Sequence, residues 1–296
     1  MRAAVVRTFG GPEAVEIVEV PVPEAGARQV RIKVAAGALN PVDAAVRAGV
    51  FGGAGKDLGL GWDVAGTVDA AGVAAAWNVG DAVVALAPGL ADPLGSHAEY
   101  VVVDAGAVAV APASVDAVHS GTLPLNGLTA LQALDLLDLR PGGKLLVTGA
   151  AGAVGGFAVQ LAAHRGIEVV GHARAGDEEL VRSLGAARFT SDGVAPGSVD
   201  AVLDAAVLGA PALEWVRDGG AFVAVRDGVL PEAARGVRME NVWVRADGAQ
   251  LAELVRLVDE GVLTLRVAQA YGLDEAAKAH ARLAEGGARG RLVLVP

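Results

Sequence analysis

The strongest chemical signal in the chain is a set of glycines. In Lys144-Leu-Leu-Val-Thr-Gly-Ala-Ala-Gly-Ala-Val-Gly-Gly-Phe157 an apolar run leads directly into Gly149-x-x-Gly152-x-x-Gly155. Glycine permits a sharp turn and close approach of backbone to a ligand, and a helix starting there offers free N–H groups to negative charge. This strand–turn–helix pattern suits a dinucleotide pyrophosphate and marks Gly149, Ala150, Ala151, Gly152, Ala153 and Val154 as cofactor-binding residues. Ala150 stands where G-x-G-x-x-G has its first glycine, so the motif rests on its context, with the next strand beginning near Ile167. The alternative is a glycine-rich packing turn.

The end of that next strand separates the two nicotinamide dinucleotides. An acidic residue there holds a ribose 2′-hydroxyl. Here the strand ends in Gly171-His-Ala-Arg-Ala175, and the first acid, Asp177, comes later. Arg174 offers a planar fork to a 2′-phosphate, which favours NADPH. A solvated surface arginine is the alternative.

The elements that would position these groups fall into two textures. Up to about residue 113, short strands at 3–6, 15–20, 30–35, 65–70, 82–86 and 98–103 are separated by Gly and Pro turns, as in a barrel-like β domain. Continuous apolar runs at 145–148, 168–171, 201–205 and 221–225 then alternate with helical stretches and end in a helix at 249–260, as expected of parallel strands covered on both faces. Short strands return at 265–268 and 291–295 around a helix at 273–285, and the last one is apolar enough to re-enter the first domain's sheet. The expected fold class is α/β: residues 1–113 and 262–296 form a discontinuous β domain, and 114–261 a doubly wound parallel sheet.

Composition narrows the function classes. The 296 residues are 53% hydrophobic and 20% charged, enough apolar surface to bury a core and exclude disorder. A net charge of -10 argues against a broad nucleic-acid surface. With no cysteine and five histidines, disulfides, thiolate nucleophiles and the usual zinc donor sets are missing. The uncharged stretch 145–164 is long enough to span a bilayer, but its glycines divide it into a strand and a helix, and the start of the chain lacks the apolar core of a signal peptide. A cytoplasmic protein with no membrane partner is expected, and the excess of Arg over Lys suggests a bacterial source.

Several short motifs occur in one order: Asn40-Pro-Val-Asp43 with Arg47-x-Gly49, Gly61-Trp-Asp-Val-Ala-Gly66, Val79-Gly-Asp81, Gly95-Ser-His-Ala-Glu-Tyr100, Leu123-Pro-Leu-Asn-Gly-Leu-Thr-Ala130 and the glycine loop. The ordered set resembles the medium-chain dehydrogenase/reductase superfamily, and within it the zinc-free quinone oxidoreductase branch typified by zeta-crystallin. The resemblance implies a GroES-like catalytic domain, a Rossmann domain for NADPH, and an active-site cleft between them. It also implies that Asn40 orients nicotinamide or substrate and that Thr129 touches the cofactor. Ala206, Val207, Val225 and Arg226 would edge the nicotinamide, and Arg291 stands in a Gly-Lys-like pair, with surface charge as the alternative. Phe51 and Asn126 replace a common Tyr and Lys; Phe51 and Trp62 would wall the pocket or pack in the core.

Zinc relatives carry Gly-His-Glu where this chain has Gly61-Trp62-Asp63. Without a Lewis acid for an alkoxide, reduction of an electrophilic quinone or conjugated carbonyl is the better expectation than alcohol oxidation. Reduction of an enal, enone or enoyl thioester is the second enzyme reading, and a dinucleotide-binding structural or redox-sensing protein is the reading from another class. About a dozen residues between Ala186 and Val199 leave room for a short loop where relatives fit a helix. The alternating segment Asn241-Val-Trp-Val-Arg245 reads as an edge strand seeking a partner, so a homodimer is expected.

Overall fold

The computed structural model describes residues 1–53, 57–87, 94–226 and 228–296. The chain divides into two compact units: residues 1–125, 246–259 and 265–296 form the first, and 126–245 with 260–264 the second.

In the first unit, strands β1 (Arg2–Val6), β2 (Val15–Glu19) and β4 (Leu58–Gly59) form a small antiparallel sheet. A larger sheet is built around the long strand β3 (Gln29–Ala38), which pairs with β5 (Asp63–Ala71) and β7 (Tyr100–Asp104) and continues through β6 (Ala82–Leu86) to β8 (Val108–Val110). Alternation drives this sheet. Val30, Ile32 and Val34 point into a core with Val64, Val68, Val83 and Val101, while Lys33 and Ala35 face out. The last strand, β16 (Arg291–Val295), enters the same sheet: Val293 pairs antiparallel with Ala38, and β15 (Val267–Gly272) lies parallel on its other side. Helix α1 (Pro41–Arg47) follows β3, and α8 (Ala276–Glu285) packs Ala276 and Ala279 into a core with Val46, Leu60 and Leu292.

The helix that the sequence places at the end of the doubly wound segment belongs instead to the first unit. Helix α7 (Gly248–Asp259) lies on β8 because Gly248 has no side chain: a Cβ there would sit 2.5 Å from the Val108 carbonyl oxygen and 2.7 Å from that of Gly106. At its far end the Asp259 carboxylate accepts the N–H groups of Ala113 and Ser114. These contacts also draw residues 114–125, including the short helix α2 (Ala117–Ser120), into the first unit rather than the second.

The second unit is a six-stranded sheet in which every pairing is parallel. Its strands are β9 (Lys144–Thr148), β10 (Glu168–His172), β11 (Arg188–Thr190), β12 (Val199–Asp204), β13 (Val216–Ala224) and β14 (Arg238–Asn241), in the spatial order β11-β10-β9-β12-β13-β14. Counted from β9 this is 3-2-1-4-5-6, the Rossmann order, whose direction of winding reverses between β9 and β12. Helices α3 (Pro124–Leu137, its first residues in the other unit), α4 (Ala153–His164), α5 (Glu178–Ser183) and the short α6 (Ala210–Leu213) complete the set. No helix separates β11 from β12, in keeping with the short loop read from the sequence. No helix among the described residues is long and apolar enough to cross a membrane.

Candidate functional site

The glycine loop leaves β9 at the point where the winding reverses. Gly149 has a φ of +61°, which turns the chain out of the strand without the penalty a Cβ would bring. Gly155 allows the next helix to sit on that turn: a Cβ there would lie 2.2 Å from the Gly149 carbonyl oxygen. Gly152 caps α4 with no side chain, so among the described residues the first-turn amides of Ala153, Val154 and Gly155 have no intrahelical acceptor and no side-chain cap. Ala153 and Val154 are half-buried and Gly152 is exposed, which leaves this turn open to a ligand. A pyrophosphate fits such a cradle.

Ala150 is a correction to the sequence reading. It is fully buried, its N–H donates to the His172 carbonyl, and its methyl group packs against Gly171. An alanine is tolerated here because it faces the neighbouring strand, where Gly171 makes room for it. Ala151 is also buried. Arg174 lies exposed just beyond β10, and no side-chain partner holds it among the described residues. On the same strand end, burial lowers the pKa of the half-buried His172, whose ring meets Trp215 at 5.3 Å.

Across the sheet, β12 ends level with β9, Asp204 opposite Thr148. The Thr148 hydroxyl donates to the Asp204 carboxylate at 2.6 Å and accepts the Ala206 N–H at 2.8 Å, while Leu208 and Gly209 donate their N–H groups to the same carboxylate. Ala206 is exposed and Val207 half-buried in this turn. Val225 and Arg226 lie just past β13, half-buried and exposed respectively. Asn126 and Thr129 sit in the first turns of α3, both buried.

The first unit holds a different kind of site, a knot of buried side chains. Asp43 bridges two chain segments: one carboxylate oxygen accepts the Asn40 N–H at 2.7 Å, the other the Gly61 N–H at 2.7 Å. Asp63 accepts the Asn40 side-chain amide at 2.6 Å and the Leu125 N–H at 2.7 Å. Arg291 donates to the side-chain oxygen of Asn40 at 2.7 Å and to the Leu39 carbonyl. Burial pushes both carboxyl groups up, that of Asp63 to about 6, despite the donors and the guanidinium nearby; burial also lowers Arg291. His97, fully buried, meets the Ala38 carbonyl through Nε2 at 3.1 Å.

This knot revises two expected roles. Asn40 is only 1% exposed, and its amide group is engaged by Ala38, Asp63 and Arg291. It braces the interior rather than presenting a free amide to a ligand. Arg291 is neither a surface charge nor an open anion contact but the cation of the knot. Trp62, next to Asp63 in sequence, is half-buried, and Phe51 is half exposed. Sequence reading missed Asp63, Asp204 and Thr148 as organising groups. The available signal was a carboxylate or hydroxyl set in or at the end of an apolar strand, where it must find a donor.

A family description that fits the fold is also tied to zinc, so the donor set matters. Residues 26–113 match the alcohol dehydrogenase GroES-like domain, and residues 175–294 match the zinc-binding dehydrogenase model. Among the described residues, no donor set fits a zinc ion. The chain has no cysteine, Asp63 is committed to Asn40 and Leu125, and no group of three or more His, Asp or Glu among the described residues could hold a metal.

The class defined by this fold is a two-unit dehydrogenase with a Rossmann sheet. The chain is 36% identical over 256 residues to the NADPH-dependent alkenal/one oxidoreductase of Arabidopsis thaliana chloroplasts, covering 81% of this chain and 66%, about two thirds, of that protein. It is 31% identical over 336 residues to the chloroplastic quinone-oxidoreductase QR1 of Triphysaria versicolor, covering 100% of this chain and 98% of that one. Among solved structures, the quinone oxidoreductase from Coxiella burnetii superposes with a TM-score of 0.88 at 28% identity, covering 100% of this chain and 99% of that one. The chain therefore belongs to the medium-chain dehydrogenase/reductase superfamily, in its quinone oxidoreductase branch, and is an oxidoreductase.

Proposed function

We propose that this protein is a zinc-independent reductase that uses NADPH to reduce a quinone or a similar conjugated carbonyl. The observation that carries the reading is the uncapped first turn of α4 behind Gly149 and Gly152, at the reversal point of a Rossmann sheet. When bound, NADPH supplies the hydride that the acceptor receives. The chain's own part is to bind and orient. The amides of Ala153 and Val154 take the pyrophosphate, and Arg174 takes the 2′-phosphate with a planar pair of donors. Ala206, Val207, Val225 and Arg226 border the reactive end, and Thr129 and Asn126 add polar contacts. In the first unit, Asn40 and Arg291 are bound to each other within the knot.

Identity to an alkenal/one oxidoreductase favours a conjugated alkene as the second acceptor class. Incubation with NADPH and a panel of quinones and enones, followed by loss of NADPH absorbance, tests both. Quinone-driven oxidation supports the leading reading, enone-driven oxidation alone replaces it with the second, and no oxidation by any acceptor overturns catalysis. The homodimer is part of the same proposal, supported by the edge position of β14 and by Trp243, 66% exposed just beyond it. A monomer mass in light scattering at micromolar concentration would count against it.

A further inference from the structure

Val207 is held in a backbone conformation that its residue type avoids. Its φ is +60°, and of the non-glycine residues with positive φ among those described, Asp138, Val207 and Arg235, it is the one with a β-branched side chain. A strained turn persists where its surroundings over-determine it. Here the surroundings are explicit. Asp204, fully buried, accepts the N–H of Leu208 at 3.0 Å and of Gly209 at 2.8 Å, and Thr148 joins Asp204 to the Ala206 N–H. The turn is thus pinned on both sides of Val207.

The pinned turn also bears on the glycine loop. A Cβ placed on Gly149 would lie 3.4 Å from the Ala205 carbonyl carbon and 3.4 Å from the amide nitrogen and methyl group of Ala206. The backbone of the turn therefore abuts the residue that starts the pyrophosphate cradle, and Thr148 is bonded in sequence to that residue.

We infer that Thr148 and Asp204 are positioning residues for the dinucleotide: they clamp residues 205–209 against Gly149 and hold Val207 left-handed so that loop and turn present one rigid surface. The inference rests on the dinucleotide reading above and adds to it the residues that fix its geometry. Neither side chain needs to touch the ligand, since both are fully buried.

The test is a cycle read as the dissociation constant for NADPH by fluorescence titration, with thermal unfolding and amide hydrogen exchange at residues 205–209 in parallel. Thr148→Val keeps the shape and removes both hydrogen bonds; it should weaken NADPH by about tenfold or more and speed exchange of the turn amides. Thr148→Ser, which keeps the hydroxyl, should stay within about threefold of wild type. Val207→Gly accepts the left-handed conformation without strain, so adding it to Thr148→Val should recover most of the lost affinity, which a general loss of stability would not do. A folded Thr148→Val within about threefold of wild type, or a double variant no better than the single, overturns the inference. If Thr148→Val does not fold, Asp204→Asn enters the same cycle with the same expected direction and the same rescue. Wild-type protein that binds neither NADPH nor NADH removes the dinucleotide reading itself, whereas wild-type binding with an indifferent Thr148→Val removes only the positioning role.

Discussion

The two units organise polar groups in opposite ways. The first buries the carboxylates of Asp43 and Asp63, sets the half-buried Arg291 beside them, and ties the three together through Asn40 and backbone groups. The second builds its cradle on Gly149, Gly152 and Gly155, which bring backbone rather than side chains to the surface, and buries the Thr148–Asp204 pair beneath it. Burying charge is expensive, and a knot of this kind is worth more in fixing a unique geometry than in net stability. Baring backbone costs less, but any added atom fills the space the ligand or the helix needs. The knot should therefore be sensitive to loss of a polar group and the cradle to gain of an atom.

The sharpest way to break that contrast is Asp63→Leu, which strands the Asn40 amide, the Leu125 N–H and the Arg291 charge in the interior; unfolding in urea should show a loss of about 3–5 kcal/mol. A smaller loss than that of an ordinary core substitution would mean the knot is not the unit's organising feature. Next in size is Gly155→Ala, whose added Cβ meets the Gly149 carbonyl at 2.2 Å. The expected cost is about 1–3 kcal/mol of stability, accompanied by loss of measurable NADPH binding in the same preparation.

Acid provides the third comparison, because burial acts with opposite sign on a histidine and a carboxyl group in the first unit. His280, 1% exposed, is lowered from 6.5 to about 3 by burial, with His97 and Arg47 adding to the shift. As pH falls below 6.5 the unfolded chain takes up a proton that the folded chain refuses, so stability present above that pH is lost on acidification. Asp63 works the other way: its folded carboxyl holds a proton up to about 6, so acidification from there toward the ordinary carboxylate range favours the folded state. His280→Leu should flatten the acid limb, gaining on the order of 2 kcal/mol at pH 4.5 relative to its effect at pH 8. Identical pH profiles for the variant and wild type would contradict it.

The smallest expected effect on stability belongs to the exposed Arg174. Arg174→Glu should weaken NADPH by about tenfold to a hundredfold and NADH far less, without changing the melting temperature. Equal losses for both dinucleotides would remove the 2′-phosphate role and leave a solvated arginine.

Much of this architecture was legible residue by residue. The apolar tetrad Leu292-Val-Leu-Val295 announced a strand that needed a sheet, and the glycine spacing announced the turn before α4. What could not be read depended on partners far along the chain. Asn40 meets Asp63 across 23 positions and Arg291 across 251, and no local pattern ties them. Helix α7 has the periodicity of any surface helix, and its side was decided by the missing Cβ of Gly248. Ala150 looked like a defect in a ligand motif because only the three-dimensional neighbour, Gly171, explains it.

The pairing of β16 with β3 carries a consequence for biosynthesis. The segment Gly37–Ala38 waits for Val293 and Leu294, which leave the ribosome more than two hundred residues later. Until residues 291–295 have been made, the nascent sheet keeps an open seam there, while the parallel sheet has all its strands in hand earlier. Arrest of synthesis before residue 291 should yield chains whose first unit stays protease-sensitive although the second already resists digestion.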